Sequence, residues 1–401
     1  MNTFSKKQRF LLILILGLLT AMGPLSLDLY LPAFGDIARG LNTDIGQISL
    51  SLSSYFVGLG IGQLIYGPFL ERFGRKKPIY IGVAIYLFAA IGCALTTSVE
   101  GLIVYRFFQA LGACAGMVAA RAVVRDLFDT KEMARVFSRL IMVVAVSPII
   151  APTLGGYISA SFHWRYVFAL LVVLGLLILL GTIILLPESR PANPDYSMKP
   201  VSILKNYLAV IRNRHFFIFA VSGSISYAGV YAYLSGSPHL YLEIFGVSQG
   251  QYGLIFAFIA AGLIGASQVN NLILARFSSE HIILTALVVQ CIIAFILGAS
   301  FMLDYLNFYS VTLLIFSYLC CLGFIFPNAS ALSLSSLGHM AGNASALLGS
   351  IQMVAGALAS ALVSFFLGHS SLSMILVMNL CAVGALGLLS FSSRKFAMKL
   401  G

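Results

Sequence analysis

Asp28 stands in the stretch AMGPLSLDLYLPAF, near the end of the first long apolar run of the chain. A carboxylate at membrane depth costs about 2.5–3.5 kcal/mol on insertion scales. A proton removes most of that cost, so a lone acid in an apolar run is chemically suited to carry protons. Arg106 is a cation inside such a run, near the start of the fourth. Unpaired arginine is rare at depth, which points to coupling with Asp28 at a comparable level. Arg121 and Asp126 lie at the other end of the same run, where Arg121 can snorkel to the interface. Other chemistries find little support. The six cysteines lie in apolar runs with no C-x-x-C pair and no histidine cluster, the pattern of packing residues rather than of a metal site. Gly58, Gly60 and Gly62 follow no strand and so form no nucleotide loop, and no Walker loop is present. No cofactor is expected, and ATP is not the energy source unless a partner supplies it.

The elements that position these residues follow from composition. The chain has 401 residues, 60% hydrophobic and 9% charged, against about 25% charged in soluble domains. Twelve apolar runs, each long enough to cross roughly 30 Å of hydrocarbon, cover about 11–34, 46–70, 79–97, 100–123, 136–160, 164–187, 215–239, 250–274, 281–303, 307–331, 343–367 and 371–393. They are continuously apolar rather than alternating, so they read as helices and not barrel strands. Lys6, Lys7 and Arg9 before the first run resemble the start of a signal peptide, but the run continues past Ala21-Met22-Gly23 with no mature soluble domain behind it, so cleavage is not expected.

The net charge of +11 does not indicate nucleic acid, because of where it falls. With the N-terminus in the cytoplasm, the inside segments hold twenty Lys and Arg and the outside loops only Arg39 and Arg165. This bias predicts both termini in the cytoplasm. The longest polar stretch, ESRPANPDYSMKP at 188–200, follows the sixth run, and its three prolines forbid a continuous helix. The predicted organisation is a six-helix bundle over 1–187, a linker over 188–212 and a second bundle over 213–401. Within the linker, Leu204, Leu208 and Ile211 share a face with Lys205 off it, which predicts a short amphipathic helix on the membrane surface. A weak repeat supports two halves: Leu70-Glu71-Arg72-Phe73 after the second run has a counterpart in Leu274-Ala275-Arg276-Phe277 after the eighth.

GPFLERFGRKK at 67–77 resembles the signature loop of the major facilitator superfamily, G-x-L-x-D-R-x-G-R-K/R. Gly67, Arg72, Gly74, Arg75 and Lys76 match, while Glu71 replaces the usual Asp and Phe69 the usual Leu. A tight turn there needs a glycine at positive φ, and the acid and bases can cluster at helix ends. Arg106-Phe-Phe-Gln109-Ala-Leu-Gly112 resembles the helix-four motif R-F-x-Q-G. Residues 147–156 resemble the helix-five motif of drug/proton antiporters, G-x-x-x-G-P-x-x-G-G. Pro152, Gly155 and Gly156 match, Pro148 precedes them, and Ser147 and Ala151 stand for the first two glycines. With LSLDLYLPAF and FPNASAL, the whole chain looks like the Bcr/CflA group of multidrug exporters.

The resemblance implies an all-α polytopic membrane protein of twelve transmembrane helices in two six-helix bundles around a central cavity. It implies alternate protonation of Asp28, and a gate built from Gly67, Glu71, Arg72, Gly74, Arg75 and Asp126, with Asp126 pairing Arg75. Some related exporters carry a second acid two turns before Asp28, where Thr20 stands here. Helices seven and ten line the cavity in the resembled fold, so Ser226, Tyr227, Tyr231 and Asn328, with Tyr30, are candidate substrate contacts. Tyr227 and Tyr231 are four apart and share a helix face, and tyrosine offers apolar surface with a polar handle. The competing use of Tyr30 and Tyr241 is an interfacial aromatic belt. The function expected is proton-coupled export of amphipathic small molecules or drugs, by a monomer in the lipid bilayer of a bacterial inner membrane, with no nucleic acid partner. The alternative is a proton-coupled carrier of one specific metabolite on the same scaffold. A receptor or membrane enzyme is disfavoured, because neither an extra soluble domain nor a convergent catalytic set is visible.

Overall fold

In lipid every backbone N–H and C=O must be satisfied within the protein, which leaves long helices as the solution for continuously apolar runs. The computed structural model describes residues 6–303, 305, 307–367 and 372–397 and shows this solution. Lys399, one of the cations used for topology, lies outside the described residues, as do the side chains of Lys6, Lys131, Arg394 and Lys395.

The helices are α1 (Lys6–Asp28), α2 (Phe34–Gly40), α3 (Ile45–Phe73), α4 (Lys76–Leu95), α5 (Val99–Leu127), α6 (Thr130–Ser161) and α7 (Arg165–Leu185). They continue with α8 (Pro200–Arg212), α9 (Arg214–Pro238), α10 (Gln249–Ile273), α11 (Ser279–Met302), α12 (Phe308–Ser335), α13 (Ala341–Leu367) and α14 (Leu372–Ala397). Twelve segments among the described residues are long and apolar enough to cross a membrane. The first runs over Lys7–Gly40 and includes α1, a 3₁₀ turn at Leu31–Ala33 and α2; the seventh runs over Arg214–Ile244 and ends in a π-helical turn.

Polar residues at the run ends set the helix starts. Ser98, Asp129, Asn213 and Ser278 accept hydrogen bonds from the amides of Gly101, Glu132, Phe216 and His281, and Asn307 forms a capping box with Ser310. Each satisfies amides that the helix itself leaves without acceptors. The linker is irregular until Pro200, as its prolines require. In α8, Tyr207 and Val210 are buried, while Val201, Leu204, Leu208 and Ile211 are exposed.

The chain forms two compact units. One holds Met1–Thr43, Ser54–Ile203 and Gln249–Gly253; the other holds Asp44–Ser53, Leu204–Ser248 and Leu254–Gly401. In the first, α4 packs on α5 and α7, and α1 packs on α6 and α5. In the second, α9 is central, against α13, α14 and α12, and α11 packs on α12 and α14. Small residues allow the closest approaches: a Cβ added at Gly112 would lie 2.5 Å from the Gly82 carbonyl oxygen of α4.

Candidate functional site

Asp28 is the last residue of α1, where the regular helix gives way to a turn. It is buried, and its Oδ2 accepts a hydrogen bond of 2.7 Å from Ser147 Oγ on α6, 119 residues away in sequence. Gly155 makes that contact possible. A Cβ there would meet the Leu29 carbonyl oxygen at 2.1 Å, so only glycine lets α6 lie this close to the end of α1.

Arg106 is fully buried on α5. Its Nη1 donates to the Ser26 carbonyl at 3.1 Å and to Gln109 Oε1 at 2.6 Å. The guanidinium carbon sits 4.2 Å from the Tyr55 ring centroid and 4.5 Å from that of Tyr30, an arrangement in which two ring faces attract the cation. Among the described residues, Nε and Nη2 of Arg106, and Nε2 of Gln109, have no hydrogen-bond partner. Among the described residues no ion pair joins Arg106 to Asp28. Arg106 instead grips the backbone two residues before Asp28. Around this core, Ser26 Oγ shares a hydrogen bond of 2.8 Å with Tyr86 Oη, and Tyr55 Oη donates to the Gly23 carbonyl.

A second polar cluster surrounds the turn between α3 and α4. Gly74 has φ of +81°, the left-handed conformation that an L side chain resists. The turn directs Arg75, which is buried, back onto the helix ends. Nε donates to Asp126 Oδ2 at 2.7 Å, Nη2 to Asp126 Oδ1 at 3.3 Å, and Nη1 to the Leu70 carbonyl at 2.7 Å and Glu71 Oε1 at 3.4 Å. Burial, the largest single influence, works against the Arg75 charge. Asp126, by hydrogen bond and by charge, together with Glu71 outweighs it and holds the guanidinium above its ordinary range. Of the other signature residues, Arg72 donates to the carbonyls of Asn193 and Tyr196, and Gly67 has open space beside it. Arg121 is exposed and forms no ion pair among the described residues.

The start of the linker completes this cluster, which sequence reasoning did not foresee. Glu188 accepts from the backbone amides of Arg75 at 2.6 Å and Lys76 at 3.2 Å. It supplies α4 with the N-terminal acceptor that its own Lys-Lys-Pro start lacks. Ser189 Oγ donates to Asp126 at 2.9 Å and Arg190 pairs with Glu71 at 3.1 Å. The available signal was an acid directly after an apolar run, facing a helix that begins without a cap. Glu188→Ala is expected to weaken the start of α4 by about 1 kcal/mol. Hydrogen exchange of the Arg75 and Lys76 amides should speed up, and unchanged exchange would show that Glu188 is not the cap.

A third node, also missed, centres on Asp36 in α2. Its carboxylate accepts from Arg39, from Ser159 and from Gln249 Nε2, the last at 2.7 Å. These residues line an open cavity of about 510 Å³ with His163 and Trp164.

The remaining predicted contacts divide. Tyr30 is fully buried against Phe34, Phe168 and Arg106, not on an open surface. In the second unit Ser226 is buried with its Oγ donating to Gln290 Oε1 at 2.8 Å. Asn328 is buried and donates to Asn270 Oδ1 at 2.7 Å. Tyr227 is half-buried, with ring centroids of Phe326 at 4.6 Å and Tyr231 at 5.7 Å. Tyr231 is buried beneath it and reaches Met353 Sδ at 3.7 Å. Structure thus brings together Tyr227, Tyr231 and Phe326, and turns Ser226 and Asn328 to other partners. Among the described residues no group of His, Cys, Asp or Glu is arranged to hold a metal ion.

Comparison with known proteins places this geometry in context. Residues 16–360 match the family profile described as Major Facilitator Superfamily. The chain is 30% identical over 378 residues to a bicyclomycin resistance protein homolog of Haemophilus influenzae, covering 94% of this chain and 95% of that protein. It is 30% identical over 364 residues to multidrug resistance protein D of Escherichia coli, covering 88% and 89%. Its fold is similar to the crystal structure of a D-xylose-proton symporter, with a TM-score of 0.74 at 16% identity over 94% of this chain and 97% of the other.

Proposed function

The chain belongs to the major facilitator superfamily and is a secondary transporter, and from that premise we propose that it exports amphipathic small molecules, drugs among them, in exchange for protons. One observation carries the reading: Asp28 is a buried acid held by a neutral hydroxyl. No ion pair with a cation, among the described residues, holds it in its charged form. Such a group can gain and lose a proton at little structural cost. The relatives named for bicyclomycin and multidrug resistance support export of toxic compounds. The half-exposed rings of Tyr227 and Phe326 offer an apolar face suited to varied amphipathic ligands. The Arg75–Asp126–Glu71 cluster is the proposed gate. The charge distribution supports placing that cluster and both termini on the cytoplasmic side.

The test is a panel of toxic compounds applied to cells that express the chain, with proton flux followed in liposomes that contain the purified protein. Raised tolerance to at least one compound, and proton movement opposite to that compound, are expected. Tolerance unchanged across the panel, with a single metabolite driving proton flux instead, would favour the specific-carrier alternative.

A further inference from the structure

Ser147 stands where the antiporter motif has its first glycine, and its hydroxyl lies on Asp28. A glycine offers no side-chain donor or acceptor. A hydroxyl is donor and acceptor at once. We propose that Ser147 is a positioning residue for the proton site, holding Asp28 in one place through both of its protonation states. When the carboxylate is charged, Ser147 Oγ–H donates to Oδ2. When it is protonated, the hydroxyl rotates and accepts from the carboxylic O–H. The proton that enters binds a carboxylate oxygen and the proton that leaves departs from it; Ser147 only reorients its own.

The surroundings make this role specific to Ser147. Both side chains are buried, Ser147 at 2% and Asp28 at 7% exposure. From α5 the facing charge is Arg106, which can only donate; its Nη1 is engaged with the Ser26 carbonyl and Gln109, and its guanidinium carbon lies over the rings of Tyr30 and Tyr55. Tyr55 on α3 donates to the Gly23 carbonyl, and Tyr86 on α4 is bonded to Ser26. The stretch of α6 around Ser147, and the 3₁₀ turn after Asp28, carry no titratable residue. In α7 the ionisable residues, Arg165 and Tyr166, are confined to its first turn. Ser147 is the one side chain that the structure hydrogen-bonds to Asp28 among the described residues, and its place is set by the glycine contact of α6 with Leu29.

This inference rests on Asp28 as the proton carrier, and the experiment separates the two claims. The full-length protein in liposomes is titrated with pH while infrared difference spectroscopy follows the C=O band of protonated carboxyls. Asp28→Asn identifies the Asp28 band by its loss. In Ser147→Ala the band frequency should change, because the hydrogen bond is gone. Its midpoint should move toward alkaline pH by about one unit, because the donor that favours the charged form is missing. Ser147→Thr, which keeps the hydroxyl, should restore both. An Asp28 band with the same frequency and midpoint in Ser147→Ala would overturn the role of Ser147 while leaving the proton carrier intact. No Asp28 band at any pH would overturn the proton reading itself, and the role of Ser147 with it.

Discussion

Asp28→Asn is expected to abolish uphill transport while the protein still inserts and folds. Asparagine keeps the volume and the hydrogen-bonding capacity of a protonated aspartate, so the contact with Ser147 survives the change. What is lost is the ability to ionise, and with it, if Asp28 is the proton carrier proposed above, the means of tying substrate movement to a proton gradient. In liposomes the variant should bind and exchange substrate without accumulating it, and an imposed pH gradient should leave its flux unchanged. Monodisperse elution in detergent would confirm that the loss is not one of folding. Active export at the wild-type level by Asp28→Asn would sink the assignment.

Arg75→Ala is expected to have the second-largest effect. The substitution removes the cation that bridges Asp126 and Glu71 and leaves a largely buried carboxylate without its bidentate partner. Breaking a fully buried pair costs roughly 3–5 kcal/mol; with Asp126 and Glu71 partly exposed the cost here is smaller, and it is borne by the conformation that contains the cluster. A conformational equilibrium shifts by the difference in interaction between its states, so the population should move toward the state in which the cluster is open. Single-cysteine labelling at a half-buried position of α5, such as Met117→Cys, should then rise. Cys291 and Cys320, only half-buried, must be replaced first to remove background. Arg75→Lys should fall between, because lysine cannot reproduce the two-pronged contact. If labelling does not rise in Arg75→Ala, the cluster is a topology signal only and the gate lies elsewhere.

The twelve spans are legible because hydropathy over twenty residues is a local property, and lipid leaves one backbone solution for it. The positive φ of Gly74 is legible for a similar reason: a tight turn between two helices leaves few residues able to make it. The pairing of Arg75 with Asp126 came from resemblance, since nothing in the spacing of residues 75 and 126 requires it. The contacts that were not legible are those in which one side chain chooses between several helices. Arg106 is expected to couple with Asp28 at a comparable depth; its direct contacts are two ring faces, of Tyr30 and Tyr55, and the Ser26 carbonyl. Ser226 shares its helix with Tyr227, yet one residue along a helix is a rotation of about 100°, which turns it to Gln290 and not to the aromatic face. Glu188 reads as a polar residue of the linker until the bare amides of Arg75 and Lys76 are seen beside it.

The prolines of α1 and α6 have a mechanical meaning. Pro24 lies four residues before Asp28, and Pro148 and Pro152 follow Ser147 directly and one turn on. Each proline deletes a rung of its helix ladder, here the ones that the carbonyls of Thr20, Val144 and Pro148 would have accepted. A rod with rungs missing bends there at lower energy than elsewhere along its length. Asp28 and Ser147 thus each lie within about a turn of a proline in their helices. A change in the force between them would be taken up first as flexure at these points. The points of easiest flexure and the buried acid occupy the same few turns of backbone.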